Sequence, residues 1–412
     1  MIVSFKELYG EESAAQGKRY EMIQNGFKEQ FGNNENLSFF SAPGRTEIGG
    51  NHTDHNHGRV LAAAVNLDII AAVRKTDENM IYLKSIEYSR VDTVDITDLS
   101  KKESEVGKSY SLIRGICARC KELGYKIGGF QAYTTTNVLK GSGLSSSAAF
   151  EIVVITIISH LFNNGEIDPV TAAKIAQYAE NVYFGKPSGL MDQMASSVGS
   201  VISIDFHDIE KPVINKIDFN LKQNKHALCI VDTGGNHADL TDEYASIPAE
   251  MKSAANFFGK EHLRDVNPDE FMSNIKQLRE TVGDRAVLRS MHFFDDDQLA
   301  ADEAEVLQKG DFEAFLKMIK TSGLSSETRL QNVFAVINPA EQGLSLALAV
   351  TRDFLGKKGA CRVHGGGFAG TIQAFVPEDI LDEYKKKIEK IFGDDSCHIL
   401  SIRNAGGAKV EI

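Results

Sequence analysis

The stretch that most constrains this chain is Lys140-Gly141-Ser142-Gly143-Leu144-Ser145-Ser146-Ser147-Ala148-Ala149-Phe150-Glu151, which runs into the uncharged apolar segment Ile152 to Ile158. Glycines let backbone N–H groups approach an anion closely, and the first turn of a following helix adds unpaired donors and a favourable dipole. Serine hydroxyls there can cap the helix or reach a metal ion. The pattern predicts a phosphate-holding loop opening a helix over 145–162. A plain Gly/Ser turn before a helix has the same local spelling. The stretch lacks the lysine of G-x-x-x-x-G-K-[ST], which excludes a Walker-type site.

A chain of 412 residues favours two domains, and a hydrophobic share of 42% supplies both with cores. The net charge of -12 argues against a general nucleic-acid or membrane-surface binder, because both partners are anionic. No apolar run is long enough to span a bilayer. The segment Met1 to Glu7 lacks the basic-then-apolar order of a secretory signal. Five scattered cysteines fit reduced thiols. A cytoplasmic protein is therefore expected. Cys117-x-x-Cys120 has no second Cys or His pair near it, so it reads as structural.

Helices are expected over 12–31, 109–124, 145–162, 169–184, 248–258, 284–292, 297–309, 312–321, 340–355 and 378–392. Strands are expected over 37–42, 60–65, 69–75, 80–86, 130–138, 201–206, 226–231, 371–376 and 397–402. Asp295-Asp296-Asp297 reads as a solvated turn and helix cap. The chain turns near Asp208 to Pro212, which divides it into domains 1–210 and 211–412. Strands and helices without strict βαβ alternation indicate α+β in both halves.

Two further loops carry chemistry. Pro43 to Gly58 is rich in Gly, His, Asn and Asp. It fits a metal site built from His52, Asp54, His55 and His57, or a polyol site in which Arg45, Asn51, His52 and Asp54 pair with hydroxyls. Val363-His364-Gly365-Gly366-Gly367-Phe368-Ala369-Gly370 contains G-x-G-x-x-G, but the strand-like Thr371 to Val376 follows where a dinucleotide site needs a helix. Between these, Gly185, Pro187 and Gly189 break the chain after Glu180. Ser188 is placed to cap a new helix with Asp192 in its first turns, where the dipole favours the carboxylate. An ionised Asp beside a phosphate loop suits a hydroxyl that attacks phosphorus.

Pro43-Gly44-Arg45 with Gly50-Asn51-His52-Thr53-Asp54, the Gly141–Ser147 loop with its Ala-Ala-x-Glu tail, Gly185 to Gln193, and Gly365-Gly366-Gly367-Phe368 together resemble the GHMP small-molecule kinases. The chain is most similar to the galactokinases among them, over nearly its whole length. The resemblance implies a two-domain GHMP kinase fold, with mixed β-sheets flanked by helices and the active site between the domains. It implies ATP-dependent phosphorylation of the anomeric hydroxyl of galactose, with N-acetylgalactosamine or a non-catalytic sugar sensor as alternatives. Asp192 would be the base and Arg45 would stabilise the transferring phosphoryl group. Gly141, Ser142, Gly143, Leu144, Ser145, Ser146 and Ser147 would wrap ATP. Ser147 and Glu180 would hold Mg2+. Asn51, His52, Asp54, Gly189 and Tyr244 would bind the sugar. The implied partners are the sugar and ATP, with neither nucleic acid nor membrane, acting on a monomer.

Departures from the galactokinase pattern cluster near the sugar. Asn51 stands where Glu is usual, His55 where Tyr is usual, and Thr46-Glu47 where a hydrophobic residue and Asn are usual. Ala245-Ser246-Ile247-Pro248 stands where Arg residues usually follow the Tyr closely, and His364 and Ala369 stand where Thr and Gly are usual. Exchanging a charged acceptor for a neutral one weakens a hydrogen bond by about 1 kcal/mol. Glu47, one turn earlier on a helix, is expected to supply part of the missing carboxylate.

Overall fold

The computed structural model describes residues 1–139, 142–235 and 240–412. Lys140, the expected phosphate-loop residue Gly141, and 236–239 lie outside the described residues. Strands are β1 (Ile2–Ser4), β2 (Ser38–Gly49), β3 (Arg59–Lys75), β4 (Met80–Ser85), β5 (Val91–Asp95), β6 (Phe130–Thr136), β7 (Val201–Asp205), β8 (Val213–Ile217), β9 (His226–Asp232), β10 (Ala360–Val363), β11 (Thr371–Pro377), β12 (Cys397–Leu400) and β13 (Ala408–Glu411). Among the described residues they form a nine-stranded sheet, ordered β1-β13-β2-β3-β6-β4-β5 with β7 and β8 branching from β3, and a four-stranded sheet, β10-β11-β9-β12. Among the described strands, β1/β13 and β4/β6 are the parallel pairs. The expected α+β class and mixed sheets are what the chain adopts.

Three differences from the sequence expectations have physical causes. The expected strands 60–65 and 69–75 are one strand, β3. The polar interruption between them is satisfied inside the protein: Asn66 N–H donates to Ser401 O at 3.0 Å, and Asp68 is enclosed by two arginines. The expected helices 284–292 and 297–309 are one helix, Asp284–Gln308. Its acidic run is no solvated turn, because Asp296 and Asp297 are buried and bonded. Asp296 Oδ2 accepts the Asn51 N–H at 2.7 Å, and Asp297 accepts Arg59 N–H and a doubly bonded Arg264. Third, the boundary near 210 falls within the β7–β8 hairpin. Residues from the second half, in β8 and β13, complete the first sheet.

The helix Ser146–Phe162 is the centre of the largest core. It is apolar on all sides and buried along most of its length, as such a helix must be. It packs against β2, β3 and the helices Pro169–Tyr178 and Met191–Val198. This pins the Gly/Ser loop at its N-terminus to the strand that carries Arg45. Cys117 and Cys120 are buried thiols in the same core. Among the described residues no helix is long and apolar enough to cross a membrane.

Asp68 ties the chain's beginning and end to the sheet. Its carboxylate accepts from Arg19 at 2.7 Å, Arg403 at 3.0 Å, Ser41 at 2.6 Å and Tyr9 at 2.7 Å. Burial pushes its pKa up, but the two guanidiniums and the hydroxyls prevail and hold it below the ordinary 3.8. A depressed folded pKa stabilises above the unfolded value and loses that stabilisation as pH falls through the folded one. Asp68→Ala leaves Arg403 charged and buried, so urea unfolding at pH 7 should show a loss of about 3–5 kcal/mol. The mutant's stability should also depend less on pH below about 4 than the parent's.

Candidate active site

Arg45, near the end of β2, meets Asp192 in the first turn of the helix Met191–Val198. The fork is bidentate: Nε donates to Asp192 Oδ1 at 2.7 Å and Nη2 lies 2.6 Å from Oδ2. The third guanidinium nitrogen, Nη1, donates to Gly143 O of the Gly/Ser loop. Arg45 N–H also donates to Leu144 O at 3.0 Å. Gly44 allows that approach, because a Cβ there would sit 2.8 Å from Leu144 O. One side chain thus joins the carboxylate to the loop.

Ser145 adopts the left-handed conformation, φ 54°, which costs a non-glycine residue on the order of 1 kcal/mol. Its hydroxyl does not cap the helix that follows. It donates to Asp192 Oδ2 at 2.7 Å, leaving the first helical N–H groups without a side-chain cap. Burial raises the Asp192 pKa, but Arg45 and the Ser145 hydroxyl outweigh it and hold it below the usual range. Asp192 is therefore a carboxylate in the resting site. The expected cap, Ser188, is not one: it bonds Asn181 Oδ1, and Leu190 stands at the cap position.

Glu180 lies in a π-helical turn, Ala179–Phe184, that widens the end of its helix. Such turns aim side chains where a regular helix would not. Its carboxylate accepts from Lys186 at 2.9 Å and Gln193 at 2.8 Å. Gln193 also reaches Glu151 Oε2 at 3.3 Å, while Glu151 Oε1 is buried without a partner. Burial, then the neighbouring Glu180 charge, raises the Glu151 pKa well above its usual value. Ser147 is half-buried on the first turn of the Ser146–Phe162 helix. Lys186, Gln193 and Glu151 were not among the expected site residues. All three lie within the motifs that carry the family resemblance, the Ala-Ala-x-Glu tail and Gly185 to Gln193, but no role is read for them there.

The third loop, between β10 and β11, joins the other two. His364 is buried and neutral: burial, with Arg45 and Arg362 nearby, lowers its pKa to about 3. Thr371 Oγ1 donates to Ser142 O at 3.1 Å, so it accepts from His364 Nδ1–H at 2.9 Å. His364 Nε2 then accepts from Thr46 Oγ1 at 3.1 Å. The departures Thr46 and His364 are thus bonded to each other. A Cβ on Gly143 would lie 2.9 Å from the His364 ring, so the loop needs glycine there.

The expected sugar residues divide into two groups. His52, at φ 59°, is neutral, with burial and then His55 lowering its pKa to about 4; Nε2–H donates to Gly366 O at 2.9 Å. Asp54 is half-buried, with Oδ1 accepting His55 N–H at 3.0 Å. Gly189 lies against it, since a Cβ there would sit 2.5 Å from Asp54 Oδ2. Asn51, by contrast, is enclosed. Its Nδ2 donates to Glu47 Oε1 at 2.9 Å and Gly365 O at 2.7 Å, and its Oδ1 accepts from Asn332 at 2.9 Å. Glu47 is on strand β2, not one helical turn away, and its carboxylate accepts Arg362 Nη2 at 2.8 Å. It points into the protein, so the expectation that it replaces a sugar-binding carboxylate is corrected. Tyr244 donates its hydroxyl to Gly367 O at 2.9 Å and sets its ring edge-on to Phe368. Among the described residues no group of three or more His, Cys, Asp or Glu is placed to hold a metal. His57 instead stacks on His262, ring centroids 3.6 Å apart.

Fold and site define a small-molecule kinase of the GHMP class. Residues 111–200 match the GHMP kinases N terminal domain, and residues 25–75 match the galactokinase galactose-binding signature. A galactokinase of Glaesserella parasuis is 30% identical over 373 residues, covering 89% of this chain and 92% of the relative. One from Clostridium tetani is 28% identical, covering 89% and 90%. The chain belongs to the galactokinase family. The crystal structure of Lactococcus lactis galactokinase complexed with galactose superposes with a TM-score of 0.80 at 22% identity, over 95% of this chain and 100% of that one. A mevalonate kinase superposes at 0.63 and 17% identity, over 89% and 99%.

Glu151 gives the site a pH signature. Its folded pKa is raised, so its contribution to stability is present below the unfolded value and is lost as pH rises through the folded one. Glu151→Gln removes that term. Melting temperatures measured from pH 6 to 9 should fall less steeply for the mutant than for the parent.

Proposed function

We propose that this chain transfers the γ-phosphoryl group of ATP to the anomeric hydroxyl of galactose, giving galactose 1-phosphate and ADP. The observation that carries this reading is Arg45, whose guanidinium bonds the Asp192 carboxylate and the Gly143 carbonyl at once. It lies between an acceptor for the sugar's proton and a loop suited to phosphate.

Phosphoryl transfer has a loose transition state and asks mainly for positioning and charge neutralisation. A carboxylate with a depressed pKa is a weak base. Asp192 therefore orients the hydroxyl and takes its proton late, once the bond to ADP is largely broken. Arg45 sits where charge develops on the transferring group. Ser142 to Ser147 cradle the phosphates by backbone N–H groups and the uncapped start of the Ser146–Phe162 helix. Asp54 and the Nδ1 acceptor of neutral His52 receive sugar hydroxyls, with Gly189 backing Asp54 and the Tyr244 ring forming a wall.

The donor set fits Mg2+, which takes one or two protein oxygens and completes its shell with phosphate and water. Glu180 and Ser147 would hold it, with Lys186, more than half exposed, free to swing away from Glu180. When bound, the ion supplies neutralisation of the phosphate charge.

ADP release should be followed across a hexose panel with ATP and Mg2+. Galactose turnover is expected, and Asp192→Asn should lower kcat by roughly 10²–10⁴ while galactose still binds. No turnover of any hexose by the parent, with sugar binding intact, would overturn the kinase reading in favour of a sensor. Gly189→Ala should raise the galactose KM with little effect on the ATP KM, because its Cβ displaces Asp54.

A further inference from the structure

We propose that Glu47, Asn51 and Arg362 form a buried latch that holds the sugar loop on the third glycine loop, so that position 51 positions sugar ligands without touching the sugar. The inference rests on the galactokinase reading for its substrate, though not for its geometry.

Asn51 is fully buried and its side chain is saturated. An amide offers two N–H donors and one oxygen with two lone pairs. Both donors are used, on Glu47 Oε1 and Gly365 O, and the oxygen accepts from Asn332 at 2.9 Å and Ser326 at 3.4 Å. Its backbone is held too: N–H donates to Asp296 Oδ2, and O accepts His292 Nε2–H at 2.9 Å. Nothing remains with which to bond a sugar hydroxyl.

Charge makes the arrangement specific. Arg362 is fully buried on β10, just before the third loop. It donates to Ile48 O at 2.8 Å, Val363 O at 3.1 Å and Glu47 Oε1 at 2.8 Å. Glu47 Oε1 therefore receives Arg362 and Asn51 together. Burial lifts the Glu47 pKa to about 7 against the pull of Arg362, so a carboxylate at 51 would set a second acid against Glu47 and Gly365 O where Asn51 supplies the donors. An amide at 47 would leave Arg362 without its bonded carboxylate. The two departures from the galactokinase pattern, Glu47 and Asn51, thus depend on each other.

The consequence for the sugar runs through the next residues. Asn51, His52 and Tyr244 donate to the successive carbonyls of Gly365, Gly366 and Gly367. Fixing the first of these sets the left-handed turn at His52 and, two residues on, the place of Asp54 against Gly189. Asn51 is a positioning residue.

The test uses the full chain with Glu47→Asn, Asn51→Glu, the double exchange and Glu47→Gln. Galactose and ATP KM, kcat and melting temperature are measured for each. Each single exchange should raise the galactose KM by on the order of tenfold or more, with the ATP KM changed little, and the double exchange should recover most of that loss. A lower galactose KM in Asn51→Glu overturns the proposal, because it shows position 51 facing the sugar. Penalties that simply multiply in the double exchange also overturn it. If Asn51→Glu does not fold, near-isosteric Glu47→Gln decides: an unchanged galactose KM sinks the latch, and a raised one supports it. If the parent phosphorylates no hexose, the substrate reading fails separately. The latch is then judged by melting temperatures, where recovery in the double exchange supports it and additive losses overturn it.

Discussion

The guanidinium of Arg45 is where the molecule's separate parts become one site. Its fork on Asp192 and its third nitrogen on Gly143 tie strand β2, the helix Met191–Val198 and the Gly/Ser loop together. The geometry works only because the apolar helix Ser146–Phe162 is buried beneath β2 and fixes the loop's height. Hydrophobic burial sets the distances, and one charged group uses them. The left-handed Ser145 turns its hydroxyl onto the same carboxylate, a further donor that helps Arg45 hold Asp192 ionised.

Buried acids recur through the structure, several with an arginine partner that offsets burial to different degrees: Asp68 is held below its ordinary pKa, while burial still raises Asp297 and lifts Glu47 to about 7. Asp68 has Arg19 and Arg403, Asp297 has Arg264, and Glu47 has Arg362. Asp68–Arg403 and Glu47–Arg362 each join segments more than 300 residues apart. Glu303 stands apart. It is buried beneath Gly49 with neither carboxyl oxygen hydrogen-bonded, and burial raises its pKa well above the ordinary value. A protonated acid is the form such a site tolerates. Behind the sugar loop, Arg362 is then shared chiefly with Glu47, which gives the Glu47–Asn51 contact its weight.

Motifs were the most legible part of the chain. The glycine and serine spacing of 141–147 and the chain breaks before Asp192 placed loops and helix starts close to where they lie. Long-range partners were not legible. Asp295-Asp296-Asp297 looked like a solvated turn because three adjacent carboxylates ordinarily seek water. Inside one long helix, the last two meet the Asn51 backbone and the Arg59–Arg264 pair. Likewise Asn66 and Asp68 looked like a break in β3, since their partners Ser401 and Arg403 lie more than 300 residues away.

The sequence alone determined the α+β class, the three loops, the carboxylate at 192 and the arginine at 45, because backbone freedom, helix dipoles and apolar periodicity act locally. Tertiary structure alone decided which polar groups of these loops are taken up inside the protein. Asn51 and Glu47 differ from the family pattern in a stretch that reads as sugar-binding, yet both turn inward, because a buried arginine from β10 and a row of glycine carbonyls reach them first. Such a choice depends on which acceptor is nearest once the chain is packed, and no local spacing encodes that.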